Sequence, residues 1–275
     1  MKVTEVPTTG PQTAGAIARE RIAAGSDLIL VAGGDGTVNE TIEGMVHSHI
    51  PLGVIPAGTA NVFANEIELS TNAEKVARMI GELEPARIAL GMLQNAGKPD
   101  KHFLLMAGAG LDAYIVYNVN ADLKARIGKI AYWLAGFGQV GKRLQEFEVK
   151  VDGQTLRASF ALFSRVRNYG GDLEIARKVT LLDDKFEVVL FEGPSSFRYL
   201  MYFSGVLMNR LQHTKGATVL HTDRIELNRL PQGKTWLQVD GETAGEVPAT
   251  IQIVPDALTV LMSKRYIDRS RNGKN

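Results

Sequence analysis

The residues best suited to chemistry lie in two short glycine-bearing turns. The first follows an apolar run, Leu28 to Ala32, within the stretch LILVAGGDGTVNE that ends at Glu40. Gly33-Gly34-Asp35-Gly36-Thr37 then leads into a helical pattern with Val38, Ile42 and Met45 on one face. Strand, glycine-rich turn and helix start form an arrangement that binds phosphate. Glycines let the backbone approach an anion and take up positive φ, while the helix start offers unpaired N–H groups and the positive end of its dipole. Asp35 is the unusual member. A carboxylate beside phosphates is repulsive unless it holds a cation, so Asp35 implies Mg²⁺ or a proton to be removed. No Gly-Lys-Ser/Thr follows, which excludes a Walker A loop, and the G-x-G-x-x-G spacing of dinucleotide sites fails. Alone, the turn also fits a tight βα connection whose Asp-Gly was chosen for its backbone angles.

The second turn lies in Pro51 to Ala64, PLGVIPAGTANVFA, where Leu52–Ile55 runs into Ala57-Gly58-Thr59-Ala60-Asn61 and then a helix. Two consecutive βα units put both turns at the carboxyl edge of a parallel sheet, where open α/β sheets bind ligands. Four further blocks carry candidate chemistry: Gly108–Ala113, Tyr169-Gly170-Gly171, Leu181–Phe186 and Val239–Glu242. On spacing alone their acids have plainer roles. Asp240-Gly241 reads as a hairpin turn like Asp152-Gly153. The pair Asp183-Asp184 reads as a solvated loop. Asp112 belongs either to an acidic network or to the cap of the next helix. The five His residues show no metal spacing.

The elements that must position these residues change character once. Up to about Gly91 helices and strands alternate, and Thr71 with Glu74 predicts a capping box opening a helix through Ile80. From Arg87 onward strands dominate: Phe147, Val149 and Val151 alternate at period two, and further strands run to Met262. Helical segments are expected over Asp122–Arg143 and Ser195–Gln212, and Lys264–Asn275 is expected to fray. The expected division is an α/β domain over 1–91, a β-rich domain over 92–263 and a basic tail over 264–275. With 275 residues, 45% hydrophobic and 22% charged, the chain is a globular protein rather than a disordered one. A net charge of +1 argues against a nucleic-acid binder driven by bulk charge. The absence of Cys excludes disulfides, thiolate metal sites and a Cys nucleophile. No signal peptide is visible, and no apolar run approaches the ~20 residues that span a bilayer.

Taken together, Gly33–Glu40 and Pro56–Ala64 resemble the diacylglycerol kinase catalytic family of lipid kinases, which includes sphingosine kinases. NAD kinases and phosphofructokinases are similar only in the first block. Gly108–Ala113 resembles the family's G-x-G-x-D-A segment, and Tyr169-Gly170-Gly171 its tyrosine-glycine-glycine block. Leu181–Phe186 resembles its L-x-x-D-G-L loop, with Lys185 where Gly is usual, and Asp240-Gly241-Glu242 its D-G-E. The blocks fall in family order over roughly Val3 to Met262. The resemblance implies an α/β nucleotide-binding domain followed by an all-β sandwich-like lipid domain, a NAD kinase-like plan with the active site in the cleft between them.

The resemblance also implies residue roles. ATP would be held by Thr8, Gly33, Gly34, Asp35, Gly36, Thr37, Asn39, Glu40, Gly58 and Thr59. Asp35 would sit near Mg²⁺, directly or through water. Asp240 and Glu242 are the candidates for the base that takes the lipid hydroxyl proton, and Asp112 joins the acidic network. A structural Mg²⁺ would be bound by the Asp184 carboxylate with the carbonyls of Leu181 and Phe186. The implied activity is ATP- and Mg²⁺-dependent phosphorylation of diacylglycerol or a related lipid alcohol, by a cytoplasmic protein resting on the inner face of a membrane, with no nucleic-acid partner. Ile130–Leu134 and Phe197–Leu211 would form a greasy entrance, and Lys124, Arg126, Lys129, Lys142 and Arg143 would face anionic headgroups. Core packing and a solvated helix face are the plainer readings of those segments. Family members begin with a strand and a glycine loop that this chain does not contain. Lys2–Val6 corresponds to their second strand, and the chain as written is expected to be a poor kinase. The alternatives are an NAD kinase and a catalytically dead lipid-binding or regulatory module.

Overall fold

The computed structural model describes residues 2–118, 141, 143–170, 173–208, 210–231 and 233–272. These divide into two compact units, one of Met1–Leu90 with Pro255–Asn275 and the other of Gly91–Val254. The helix expected over Asp122–Arg143 lies outside the described residues apart from Gly141 and Arg143, and with it Ile130–Leu134, Lys124, Arg126, Lys129 and Lys142.

The first unit is α/β. Its strands β1 (Ile29–Gly33) and β2 (Leu52–Pro56) pair in parallel from Ile29↔Leu52 to Gly33↔Pro56. β16 (Ala249–Met262) adds a parallel neighbour to β2 through Val260↔Leu52. β2 is buried almost throughout, but β1 is not: Leu30 is 38% exposed. The run Leu28–Ala32 reads as a buried strand, yet among the described residues β1 pairs only with β2, which leaves it at a sheet edge. Helix α1 (Ala14–Ala23) crosses α2 (Asp35–Glu43) so closely that a Cβ on Gly44 would stand 2.0 Å from the carbonyl oxygen of Gly15. Val38, Ile42 and Met45, the predicted inner face, are all buried. Short helices α3 (Val62–Glu66) and α4 (Ala73–Met79) follow.

Three local expectations for this unit are corrected. The cap of α4 is Asn72, not Thr71, because the Asn72 side chain accepts the Lys75 N–H at 2.9 Å. Lys2–Val6 forms no strand and is exposed; it has no ladder partner, and an unpaired strand leaves its backbone groups to water. Over its described residues the tail does not fray. Its residues Lys264–Asn272 form a helix that buries Tyr266, Ile267 and Ser270. The Tyr266 hydroxyl donates to Glu66 at 3.2 Å, and Arg265 and Arg269 pair with Glu68.

The second unit is built of antiparallel strands. One sheet runs β16–β13–β6–β7, with β13 (Arg224–Asn228), β6 (Phe147–Val151) and β7 (Gln154–Ala158). The other runs β12–β11–β8–β5–β14–β15, where β5 is Met106–Gly110, β8 Phe160–Ser164, β11 Phe186–Phe191, β12 Ala217–Thr222, β14 Trp236–Val239 and β15 Glu242–Glu246. Side chains from both sheets meet in one core, including Phe147 and Val149 of β6 with Phe163, Val188 and Val239 of the larger sheet. The expected helix over Ser195–Gln212 appears as Arg198–Leu207 followed by a 3₁₀ turn at Leu211–His213.

Candidate active site

In the first unit the two predicted turns are locked together. Gly34, extended at φ −88° and ψ 179°, is the N-cap of α2, and no side chain caps that helix. A Cβ on Gly58 would stand 2.5 Å from the Gly34 Cα, and one on Gly34 would stand 3.1 Å from the Gly58 Cα. Glycine is therefore required for contact between backbones. The expectation of positive φ is not met at Gly33, Gly34, Gly36 or Gly58; the left-handed residue is Asn61, at φ 47°. Its side-chain amide closes the second turn, accepting from the Gly58 N–H at 2.9 Å and donating to the Gly58 carbonyl at 2.8 Å.

Asp35 reaches from the first turn into the second. Its two carboxylate oxygens accept the Val62 and Phe63 N–H groups, each at 3.0 Å, and so cap α3. A carboxylate has about four acceptor positions, so this half-buried group retains room for a further ligand. The first N–H groups of a helix have no intrahelical partner, so the uncapped start of α2 beside two bare backbones is suited to an anion. Thr59 is exposed in the second turn. Asn39 and Glu40 serve within the fold: Asn39 is 5% exposed, and Glu40 accepts the Ala14 N–H at 3.4 Å, at the start of α1. Thr8 lies in an exposed stretch without regular structure.

A second cluster forms in the other unit from residues far apart in sequence. Asp112 opens helix α5 (Leu111–Asn118) and is fully buried. The Tyr169 hydroxyl donates to one of its oxygens, and the Gln238 amide donates to the other at 2.7 Å. These partners are a phenol and an amide, so the Asp112 carboxylate does not cap the helix through its N–H groups. Burial raises its pKa from 3.8 to about 6, against the lowering effect of those two hydrogen bonds. A Cβ on Gly108 would stand 1.5 Å from the Asp112 carboxylate, which explains that glycine.

Gln238 also accepts the Gly241 N–H at 2.9 Å, linking Asp112 to the Asp240-Gly241 turn. That turn joins β14 to β15 with φ 47° and 80°, the paired positive angles of a tight hairpin. The Asp240 carboxylate accepts three backbone N–H groups: Leu104 at 2.9 Å, Leu105 at 3.0 Å and Met106 at 2.9 Å. Glu242 is half exposed and pairs with Lys101 at 3.0 Å. Gln238 was not legible in the sequence. Alternating with Leu237 and Val239, it reads as a solvent-facing position, but α5 packs on β14 and buries it to 3%.

The loop from Leu181 to Phe186 has a different character from the expected metal site. Asp184 and Lys185 are exposed. Asp183 turns inward and accepts from the Thr180 N–H at 2.7 Å and its hydroxyl at 2.8 Å. Arg165, fully buried, donates one guanidinium nitrogen to the Leu181 carbonyl at 2.9 Å and the other to the Asp183 carbonyl at 3.1 Å. A divalent ion on the Leu181 carbonyl would face this guanidinium. Two unit charges 4 Å apart repel by about 4 kcal/mol near a protein surface, and a divalent ion doubles that. The residues present do not fit a structural Mg²⁺ at this position.

Comparison with known proteins also divides the chain in two, though with the C-terminal boundary beyond that of the second compact unit. The profile of the diacylglycerol kinase catalytic domain matches residues 1–93, and that of the YegS C-terminal NAD kinase beta sandwich-like domain matches residues 106–262. A protein named diacylglycerol kinase from Mycobacterium tuberculosis (strain ATCC 25618 / H37Rv) is 29% identical over 251 residues, covering 87% of this chain and 78% of that protein. One of the same name from Bacillus subtilis (strain 168) is 28% identical over 251 residues, covering 88% and 80%. A crystal structure of a diacylglycerol kinase from Bacillus anthracis str. Sterne shares the fold, with a TM-score of 0.73 at 22% identity over 94% of this chain and 85% of that one. With both domains matched in order, this chain belongs to the diacylglycerol kinase family and is a diacylglycerol kinase-like lipid kinase.

Proposed function

We propose that the chain transfers the γ-phosphoryl group of ATP to the hydroxyl of diacylglycerol or a closely related lipid alcohol. The observation that carries this reading is the meeting of the two glycine turns at Gly34 and Gly58 beside the uncapped start of α2. The N–H groups of Asp35, Gly36 and Thr37 bind the nucleotide phosphates, with Thr59 at the rim of the second turn. Asp35, which ties the turns together and keeps acceptor positions in reserve, suits a Mg²⁺ ion brought in with the nucleotide. When bound, that ion neutralises charge on the phosphates.

The two candidate acids divide their work. Asp240 is committed to three N–H donors, so it fixes the turn. Glu242, half exposed and two residues on, takes the proton of the lipid hydroxyl while Lys101 holds it in place. A lipid acceptor held in a bilayer implies a peripheral protein. No helix among the described residues is long and apolar enough to cross a membrane, and Phe197, Met201 and Met208 expose 63%, 41% and 68% of their surface around one helix.

The test is to incubate the full chain with labelled ATP and MgCl₂ against diacylglycerol, sphingosine and NAD. Label is expected in the phosphorylated diacylglycerol, and Glu242→Gln is expected to lower kcat by ~10²–10⁴ with an unchanged melting temperature. Label in NAD alone, or in nothing, would overturn the reading.

A further inference from the structure

Arg165 stands immediately after β8, between the larger sheet and the loop over residues 180–186. Its backbone N–H donates to the Leu105 carbonyl at 2.9 Å, so the residue is anchored to the segment that Asp240 clamps. Its side chain is fully buried, although arginine almost never is without acceptors. The acceptors are the carbonyls of Leu181 and Asp183, two residues apart on the inside of the loop. Converging carbonyls of this kind are what a hard cation collects. A guanidinium can serve the same geometry, because its planar fork presents several N–H donors and it stays protonated at any pH the fold survives.

We propose that Arg165 is a built-in cation that holds the 180–186 loop in place of a divalent metal, so that this part of the β-rich unit folds without one. The charges close without an added ion. Asp183 and Asp184 supply two negative charges, while Arg165 and Lys185 supply two positive ones. The Leu181 and Asp183 carbonyls are already held by Arg165, and the inward Asp183 carboxylate is fixed by Thr180. A metal added at Asp184 would meet an exposed side chain beside Lys185 and a carbonyl that a cation already uses.

The experiment is thermal unfolding of the full chain without nucleotide or lipid, after dialysis against EDTA, across a titration of MgCl₂ and of CaCl₂. Wild type and Asp184→Asn are expected to unfold at the same temperature, and neither should shift with either ion. Arg165→Met, which keeps the length but not the charge or donors, is expected to lower the midpoint by more than about 5 °C. A Mg²⁺- or Ca²⁺-dependent rise in the wild type that Asp184→Asn abolishes would overturn the proposal, as would an Arg165→Met midpoint equal to wild type. If Arg165→Met is insoluble, the wild-type and Asp184→Asn titrations decide the matter. Because no nucleotide is present, failure here is separable from failure of the kinase reading.

Discussion

Asp152 and Asp240 open the same kind of Asp-Gly hairpin, with nearly identical backbone angles, but only Asp240 is committed to distant backbone. Asp152 offers one oxygen to the Thr222 hydroxyl at 3.3 Å, whereas Asp240 takes three N–H groups from a segment about 135 positions earlier. Asn suits such turns as well as Asp, so Asp→Asn changes isolate the carboxylate. Asp240→Asn is expected to cost about 2–4 kcal/mol in urea unfolding, since charge-assisted bonds are lost and an amide N–H₂ would face backbone donors. Asp152→Asn should cost less than about 0.5 kcal/mol. Equal costs would remove the clamp from Asp240. The sequence could not separate the two residues, because the donors are backbone groups and leave no trace in residue type. Arg165 was hidden for the same reason.

Asp112 supplies a pH test at the same scale. Its folded pKa of about 6 lies above the unfolded value near 3.8, so between those values the folded chain holds more protons and stability falls as pH rises. The penalty is complete only above about pH 6, shrinks progressively as pH falls through that window, and is fully relieved below about 3.8. The wild type should therefore gain about 1 kcal/mol relative to Asp112→Asn when the pH drops from 7 to 5. Unfolding measured at both pH values, with all other carboxylates common to the two proteins, checks this; no relative gain would mean the buried carboxyl titrates normally.

At the scale of elements, the first unit depends on two turns that touch through backbone. Gly58→Ala would drive a methyl into the Gly34 Cα, and neither side is a flexible side chain that could yield. ATP affinity, read by calorimetric titration, is expected to fall at least about tenfold, because phosphate binding relies on position. Gly81→Ala, whose added methyl would meet nothing within 4 Å, should be neutral. A Gly58→Ala protein that binds ATP normally would separate the turns' contact from nucleotide binding. Elements with strong periodicity were legible in the sequence: the inner face of α2, the alternation of β6 and the paired hairpins. The C-terminal helix was not. Its buried residues, Tyr266, Ile267 and Ser270, sit among four basic side chains, and what orders them is Glu66 and Glu68, some 200 positions away. Lys2–Val6 failed in the opposite sense, since β-type residues make a strand only where a neighbour accepts their ladder.

For the whole molecule the telling feature is that one unit is continuous and the other is not. Gly91–Val254 carries its own core from both of its sheets. The first unit is assembled from the two ends of the chain. It needs Pro255–Met262 as the parallel partner of β2, and the C-terminal helix to engage Glu66 and Glu68. The 1–93 stretch that matches the catalytic domain therefore lacks part of its own sheet and a buried helix face. Expressed alone, residues 1–93 are expected to show no cooperative thermal transition, because an edge left on β2 and the exposed partners of Tyr266 and Ile267 remove core contacts that a domain this small cannot spare. Residues 91–254 alone should unfold cooperatively with a β-type circular dichroism spectrum. Joining 255–275 to 1–93 through a short Gly-Ser linker should restore the transition to the first unit. A cooperative transition in unlinked 1–93 would mean that the catalytic stretch is self-sufficient and that the returning C-terminus only decorates it.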